Sequence, residues 1–291
     1  MPLAPLTLLR PAATLRLGIL TFQERQALGA DLPVPAHAWE FPSHNAAAIL
    51  ADFHLLTQGR NSQPLPAHVQ ATQPDNIFLE AGSRLEHCSL HASDGPIYIA
   101  AGALVMDGAR LRGPLSIGAR TVVKMNAALY GGTSIGPDCI VGGEVKNSIL
   151  MEGSNKAHEG YLGDSVVGAW CNIGAGTSTS NIRNTGNDVP VWDMDAKAYA
   201  SAGLKLGLVM GDCCRTAIHT AFNTGTVVGT CAHVFGHPTL TPKHIPSFAW
   251  GTDGRYALDK LLLHITNWMS FKGQTPSPEL LTRIQHLYQS S

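Results

Sequence analysis

An aliphatic side chain recurs every six residues along the middle of the chain. Ile99, Val105, Leu111, Ile117, Val123, Leu129, Ile135 and Val141 keep one unbroken phase, and a fixed period of this kind marks a repeat architecture. Two places earlier stand Ile97, Ala103, Ala109, Leu115, Thr121, Ala127, Thr133 and Cys139, all small or apolar, while Gly, Asp, Lys and Arg collect at the positions between. Two inward positions in six describe a short strand followed by a turn. Such a unit cannot bury its apolar side alone, so successive strands stack as parallel rungs, three to a coil, around a narrow packed interior. The expected fold is an all-β parallel β-helix.

The breaks in the beat divide the chain. It starts near Ile77, with Leu79 and Leu85 in step, and slips between His91 and Pro96 as a loop thrown out from a corner would make it. It stops after Asn181, is absent from Arg183 to Leu206, and resumes at Met210, Phe222, Val228 and Val234 with Leu208, Thr220 and Thr226 on the second inward position. The solenoid is therefore assigned to residues 61–245. Residues 1–60 read as a strand-like start, a proline-rich link and one helix from about Ser43, with Ile49, Phe53 and Leu56 on one face and Gly59 as its stop. In residues 246–291, Leu258, Leu261, Leu262, Ile265 and Trp268 have helical spacing. Ser277-Pro278 then reads as the cap and first residue of a last helix lined by Leu280, Leu281, Ile284 and Leu287. These helices are expected to cap the open end of the solenoid, where uncovered strand edges would be a liability.

Composition excludes several classes of partner. Lys and Arg total 20 against 21 Asp and Glu, and no basic cluster is longer than a pair, so a surface tracking nucleic-acid phosphates is not expected. No apolar stretch reaches the length of a membrane span, and Arg10, Pro11 and Arg16 interrupt the apolar opening that an export signal would need. The six cysteines show no CxxC spacing, which fits a reduced, cytoplasmic protein better than a disulfide framework. No metal-ligand spacing is visible.

Chemistry is expected where unusual residues break the repeat. Gly143–Lys146, Asn155–Asp164 and Cys171–Thr177 gather a histidine, lysines, a tyrosine and amides within a few coils, and stacking brings distant residues onto one wall. A histidine held by a carboxylate can act as general base on an amine or hydroxyl. Lysines and a tyrosine hydroxyl beside it can hold a phosphate.

The run AHEGYLGDSVVGAWCNIGAGTSTSN resembles the acetyltransferase half of the bifunctional N-acetylglucosamine-1-phosphate uridyltransferase/glucosamine-1-phosphate acetyltransferases, whose motif reads His-x-x-Tyr-Leu-Gly-Asp, then Asn-Ile-Gly-Ala-Gly-Thr and an Asn. The resemblance implies a left-handed parallel β-helix, against the usual right-handed crossover, and a homotrimer with sites between subunits. It also implies transfer of acetyl from acetyl-CoA to the amine of a hexosamine phosphate. Carried over position by position, His158 falls on the general base and Glu144 on the carboxylate that orients it. Lys146 and Tyr161 fall on sugar-phosphate ligands, Asn172 on a sugar contact, Asn181 close to the substrate amine, and Ala175 on a backbone contact to acetyl-CoA. Two basic positions depart: Ala128 stands where the family has a phosphate-binding Arg, and a later Lys falls near Asn187.

Further segments, among them LTLLRPAATLRLGILTFQER, ILADFHLLTQGR, FNTGTVVGTCAHVFG and IPSFAWG, resemble bacterial sugar nucleotidyltransferase-like proteins with a fused hexapeptide domain. There a nucleotidyltransferase domain lies between the first two of these segments; here about twenty residues do, and no Gly-rich phosphate loop precedes them. Residues 1–60 are thus expected to be a remnant, and nucleotidyl transfer to belong to the longer relatives. Two functions are expected. One is an acyltransferase acting with acetyl-CoA on an amino sugar phosphate or nucleotide sugar. The other, favoured by Ala128 and Asn187, is a non-catalytic trimeric scaffold or sugar-nucleotide-binding protein. Acceptor specificity is expected in the loop 183–206.

Overall fold

Short strands stack in parallel register in the computed structural model, which describes residues 3–291. Ile97 pairs with Leu115 and Leu115 with Thr133, so one regular coil takes eighteen residues, six to each of three faces. This is the parallel β-helix that the repeat calls for, with the left hand that the resemblance implies. Both inward columns are buried: none of the sixteen residues from Ile97 to Val141 that set the beat is more than 2% exposed. Each fully buried aliphatic contributes about 1.5–3 kcal/mol, and stacking repeats that gain at every rung. The corners turn through left-handed backbone, with Asn126 and Asp138 at positive φ. Short polar side chains tolerate that region better than most.

The three faces have different fates. The first, here the site face, carries the strands Gln70–Thr72, Ser89–His91, Arg110–Arg112, Ala128–Leu129, Glu144–Lys146 and Tyr161–Gly163, with Ser178–Thr179 and Ala221–Phe222 continuing the stack. The second is a sheet of nine strands from Ile77–Leu79 to His244–Ile245. The third runs from Arg84–Leu85 to Asn155–Lys156 and continues through Asn172 to Arg215–Thr216 and His233–Val234.

The amino-terminal arm covers the nine-stranded face. Its first residues form turns and one 3-10 turn at Ala12–Thr14 instead of a strand, because Pro5 and Pro11 lack the donors a ladder needs. Two helices follow where one was expected: α1 (Phe22–Ala27), closed by a Thr21–Glu24 capping box, and α2 (Phe41–Thr57). Gly59 follows α2 with φ +70°, the left-handed stop that glycine supplies most cheaply. Asn45 of α2 donates to the Gly132 carbonyl and the Ser134 hydroxyl, while Ile49 and Phe53 pack with Phe78 and Tyr98. Asp52, buried beneath, accepts from the Ile19 and Leu20 amides and from Arg25.

At the other end come α3 (Leu258–Ser270) and α4 (Pro278–Ser290), the latter capped by Ser277 with Pro278 as its first residue. Leu261, Ile265, Met269 and Ile284 share one cluster with Leu3, Leu6, Met151, Trp170 and Phe248. Just past α3, Lys272 bonds the Asp138 carbonyl and, at 2.8 Å, Asn155 Oδ1. A helix of this length spans about 20 Å, or roughly four rungs. It therefore runs back down the flank from the last coil instead of lying across the open end. That end is met by Gly254–Arg255, which turns back antiparallel onto Ala249–Trp250.

The phase-free segment after Asn181 is also folded. Pro190–Asp193 and Ala198–Ser201 form an antiparallel hairpin. Val189 and Val191 are fully buried in the cluster that holds Leu206, Val209 and the arm. Among the described residues no helix is long and apolar enough to cross a membrane. All six cysteines are buried and unpaired. Burial pushes the Cys88 thiol up to about 11 and that of Cys139 up to about 12.

Candidate functional site at the corner after Lys156

The repeat changes length where the unusual residues begin. Val123 and Val141 are one regular coil apart, but Val141 pairs with Lys156 only fifteen residues on, and Leu129 with Val145 sixteen on. Gly142 and Gly143 make the shortened corner, and both are needed by close approach. A Cβ on Gly142 would lie 2.5 Å from the Ala157 carbonyl oxygen, and one on Gly143 2.6 Å from that of His158. The next corner, 157–160, sits directly on them.

Shortening puts a lysine where the column demands an aliphatic. Lys156 is 2% exposed and occupies the inward position of Val105, Val123 and Val141. Its stem fills the interior and its ammonium reaches the corner, where Nζ donates to the His158 carbonyl at 2.5 Å. Burial lowers it to about 8, although Glu159 opposes the shift. A lysine in a solenoid ordinarily keeps to a solvated corner; here the structure buries it.

His158 itself is exposed, and its imidazole makes no hydrogen bond among the described residues. It lines a corner groove of about 430 Å³ with Ala175, Lys124, Met125 and His219. Ala175 lies one coil further along. Its carbonyl accepts from the His219 amide at 2.7 Å, while its own N–H has no acceptor among the described residues and is free for a ligand.

Around the corner, on the site face, Glu144 pairs with Tyr161 and Lys146 with Gly163, one rung apart. Glu144 and Lys146 are exposed. Asn181 Nδ2 donates to the Tyr161 hydroxyl at 3.2 Å and to Asp164 Oδ2 at 2.5 Å, and Asp164 also accepts from Asn147 at 2.7 Å. Burial, then the Asp164 and Glu144 charges, raise the Tyr161 phenol above its usual range, so at neutral pH it keeps its proton and can donate. Asp164 was not singled out from sequence. Its signal was the Asp that closes Tyr-Leu-Gly-Asp at a corner with φ +47°.

One chain does not bring all the candidates together. His158 and Ala175 share a groove, and Glu144, Lys146, Tyr161 and Asn181 share the adjoining face, yet no hydrogen bond joins Glu144 to His158. Asn172 lies on the third face, between Asn155 and Arg215 in its column, with Lys272 on the one and Trp268 4.8 Å from the guanidinium of the other. The hairpin 183–206 packs over the nine-stranded side, and Asn187 is exposed on it. Its rim reaches the site face at a cavity of about 310 Å³ shared by Lys205, Ser201, Asn147 and Asp164.

No family model matches the chain. The chain is 39% identical over 87 residues to the bifunctional protein GlmU of Methanococcus maripaludis, which is 30% of this chain and 21% of that protein. It is 38% identical over 92 residues to a bifunctional sugar-1-phosphate nucleotidylyltransferase/acetyltransferase of Sulfurisphaera tokodaii, covering 32% of this chain and 23% of the relative. Over those stretches the chain resembles the GlmU-type bifunctional proteins. It spans about a fifth of their length. Among solved structures, the polySia-specific acetyltransferase NeuO aligns with 70% of this chain and 96% of its own, at 12% identity and a TM-score of 0.36.

Proposed function

We propose that the chain is an acyltransferase that moves acetyl from acetyl-CoA to the amine of an amino sugar phosphate or nucleotide sugar, working as a homotrimer. The observation that carries this reading is the corner groove, lined by His158 and Ala175, whose imidazole and backbone N–H are both unengaged among the described residues. The amine nitrogen attacks the thioester carbonyl while His158 takes its proton. The Ala175 N–H stabilises the oxyanion of the tetrahedral intermediate, which collapses with loss of the CoA thiolate, and His158 returns the proton to that sulfur. Glu144 orients the imidazole once the acceptor closes the distance, as catalytic hydrogen bonds often tighten only in the complex. Lys146 and the Tyr161 hydroxyl hold phosphate oxygens, and Asn181 sits against the amine.

Placement of Asn172 on another face supports the trimer: it reaches the same acceptor from a neighbouring copy. Light scattering at micromolar concentration is expected to give three times the chain mass; a monomer would remove Asn172 from the site. Acetyl-CoA consumption over a panel of amino sugars tests the chemistry. His158→Ala is expected to lower it about 10²- to 10⁴-fold with the fold intact, and Glu144→Gln to lower it less. Equal rates for wild type and His158→Ala would reject His158 as the base. A second reading, a non-catalytic binding scaffold, is favoured by Ala128 and by the open Glu144–His158 pair. On that reading His158→Ala changes affinity and no rate.

A further inference from the structure

Ala128, which stands where a basic residue was expected, has an arginine on the next rung. Ala128 pairs with Glu144 on one side and with Arg110 on the other. Arg110 is exposed and makes no hydrogen bond or ion pair among the described residues. In the adjoining column Arg112 stands over His91, held by an ion pair to Asp94. Because Ala128 has almost no side chain, a groove of about 260 Å³ opens there, lined by Ser89, His91, Arg110, Arg112, Ala128 and Tyr130. Tyr130, 40% exposed, borders it on the side of Lys146.

We propose that this groove binds the diphosphate of a nucleoside-diphosphate sugar, so that the acceptor is a nucleotide sugar and not a sugar monophosphate. The inference rests on the acyltransferase reading. Rungs are about 4.8 Å apart, which sets Arg110 about 10 Å from Glu144 along the site face. One phosphate on a sugar whose amine meets His158 is served by Lys146. A second phosphate continues past Ala128 toward Arg110 and Arg112, whose planar guanidinium groups suit phosphate oxygens. Tyr130, level with Ala128, borders the path between the two phosphates. Substituting Ala for a basic residue thus moves the cationic end of the site outward by one rung and lengthens the acceptor it fits.

Coenzyme A carries a diphosphate too, and polarity along the solenoid separates the two sources. Ala175 lies one coil after His158, whereas Arg110 lies two rungs before Glu144, so donor and acceptor extend in opposite directions from the base.

Titration calorimetry on the full chain tests this with three probes: UDP-N-acetylglucosamine, N-acetylglucosamine 1-phosphate and coenzyme A. The wild type is expected to bind the nucleotide sugar at least tenfold more tightly than the sugar phosphate. Arg110→Ala is expected to erase most of that ratio and to leave coenzyme A affinity unchanged; the residue is exposed, so the fold survives its loss. Absence of nucleotide-sugar binding, equal affinity for the two sugars, or an Arg110→Ala effect on coenzyme A alone would each overturn the proposal. Acetyl transfer to UDP-glucosamine and to glucosamine 1-phosphate is read separately. An Arg110-dependent nucleotide-sugar preference without any transfer upholds this groove and rejects the acyltransferase reading. Transfer confined to glucosamine 1-phosphate and indifferent to Arg110 does the reverse.

Discussion

Two charged groups are buried to the same degree in this molecule, and their surroundings could hardly differ more. Asp52, 1% exposed beneath the arm, accepts four hydrogen bonds: Ile19 N at 2.8 Å, Leu20 N at 3.0 Å, and Arg25 through Nε at 2.8 Å and Nη2 at 2.7 Å. Lys156, 2% exposed at the corner, donates one, to a carbonyl two residues away. A carboxylate met by its full set of donors and an opposite charge locks two segments together. An ammonium with one partner in an aliphatic column is an expense that the fold alone does not require. The arm is built for permanence, and the corner for a task.

Cutting the arm's network should produce the larger effect. Asp52→Ala leaves the Arg25 guanidinium buried without its counter-charge and two amides without an acceptor, and is expected to cost about 3–5 kcal/mol in denaturant unfolding. A loss below 1 kcal/mol would mean that the arm is held by its apolar contacts only. At the corner, Lys156→Met keeps the stem's volume and removes the charge. Stability at neutral pH is expected to stay within about 1 kcal/mol of wild type or to rise, while acetyl transfer falls roughly tenfold because His158 loses the tie on its carbonyl. An unaltered rate would show that the lysine positions nothing.

The same lysine gives the comparison a pH signature. Its folded value is depressed to about 8 from 10.5, so between those values the unfolded chain binds more protons than the folded one. The burial penalty is full below pH 8 and is relieved as pH rises toward 10.5, a gain of about 3 kcal/mol for the wild type. Lys156→Met should lack that gain, which denaturant melts of both proteins at pH 7 and pH 10 would reveal.

What was readable in advance follows from the same physics. The six-residue beat announced the solenoid because burial repeats at every rung. Gly59 and Ser277-Pro278 announced helix ends because their backbone demands are local. Asn172 and Tyr161 were found by motif, but motif spacing does not say which face a residue occupies. The inward position of Lys156 was not legible because periodicity counts aliphatics, and a polar residue in the inward phase reads as a corner. The slip that moved it inward loses two residues at Gly142 and Gly143, whose only signal is what they lack, and a third between Val145 and Leu150. Arg110 and Arg112 were invisible as neighbours of the site, because only pairing across Ala128 brings them to it.

The buried, unpaired thiols also decide how the protein meets reagents. With Cys139 held near 12, its thiolate fraction at pH 7 is about one in a hundred thousand. Burial pushes Cys171 and Cys231 well above the usual thiol range, and Cys88 is held near 11. Alkylating probes and mild oxidants need an accessible thiolate, and all six thiols are buried, so the native chain offers them almost nothing. A cysteine introduced on the exposed site face, at Ala128 for example, would then be the one position that takes a maleimide dye. The wild-type protein thus serves as its own unlabelled background for watching ligands arrive along that face.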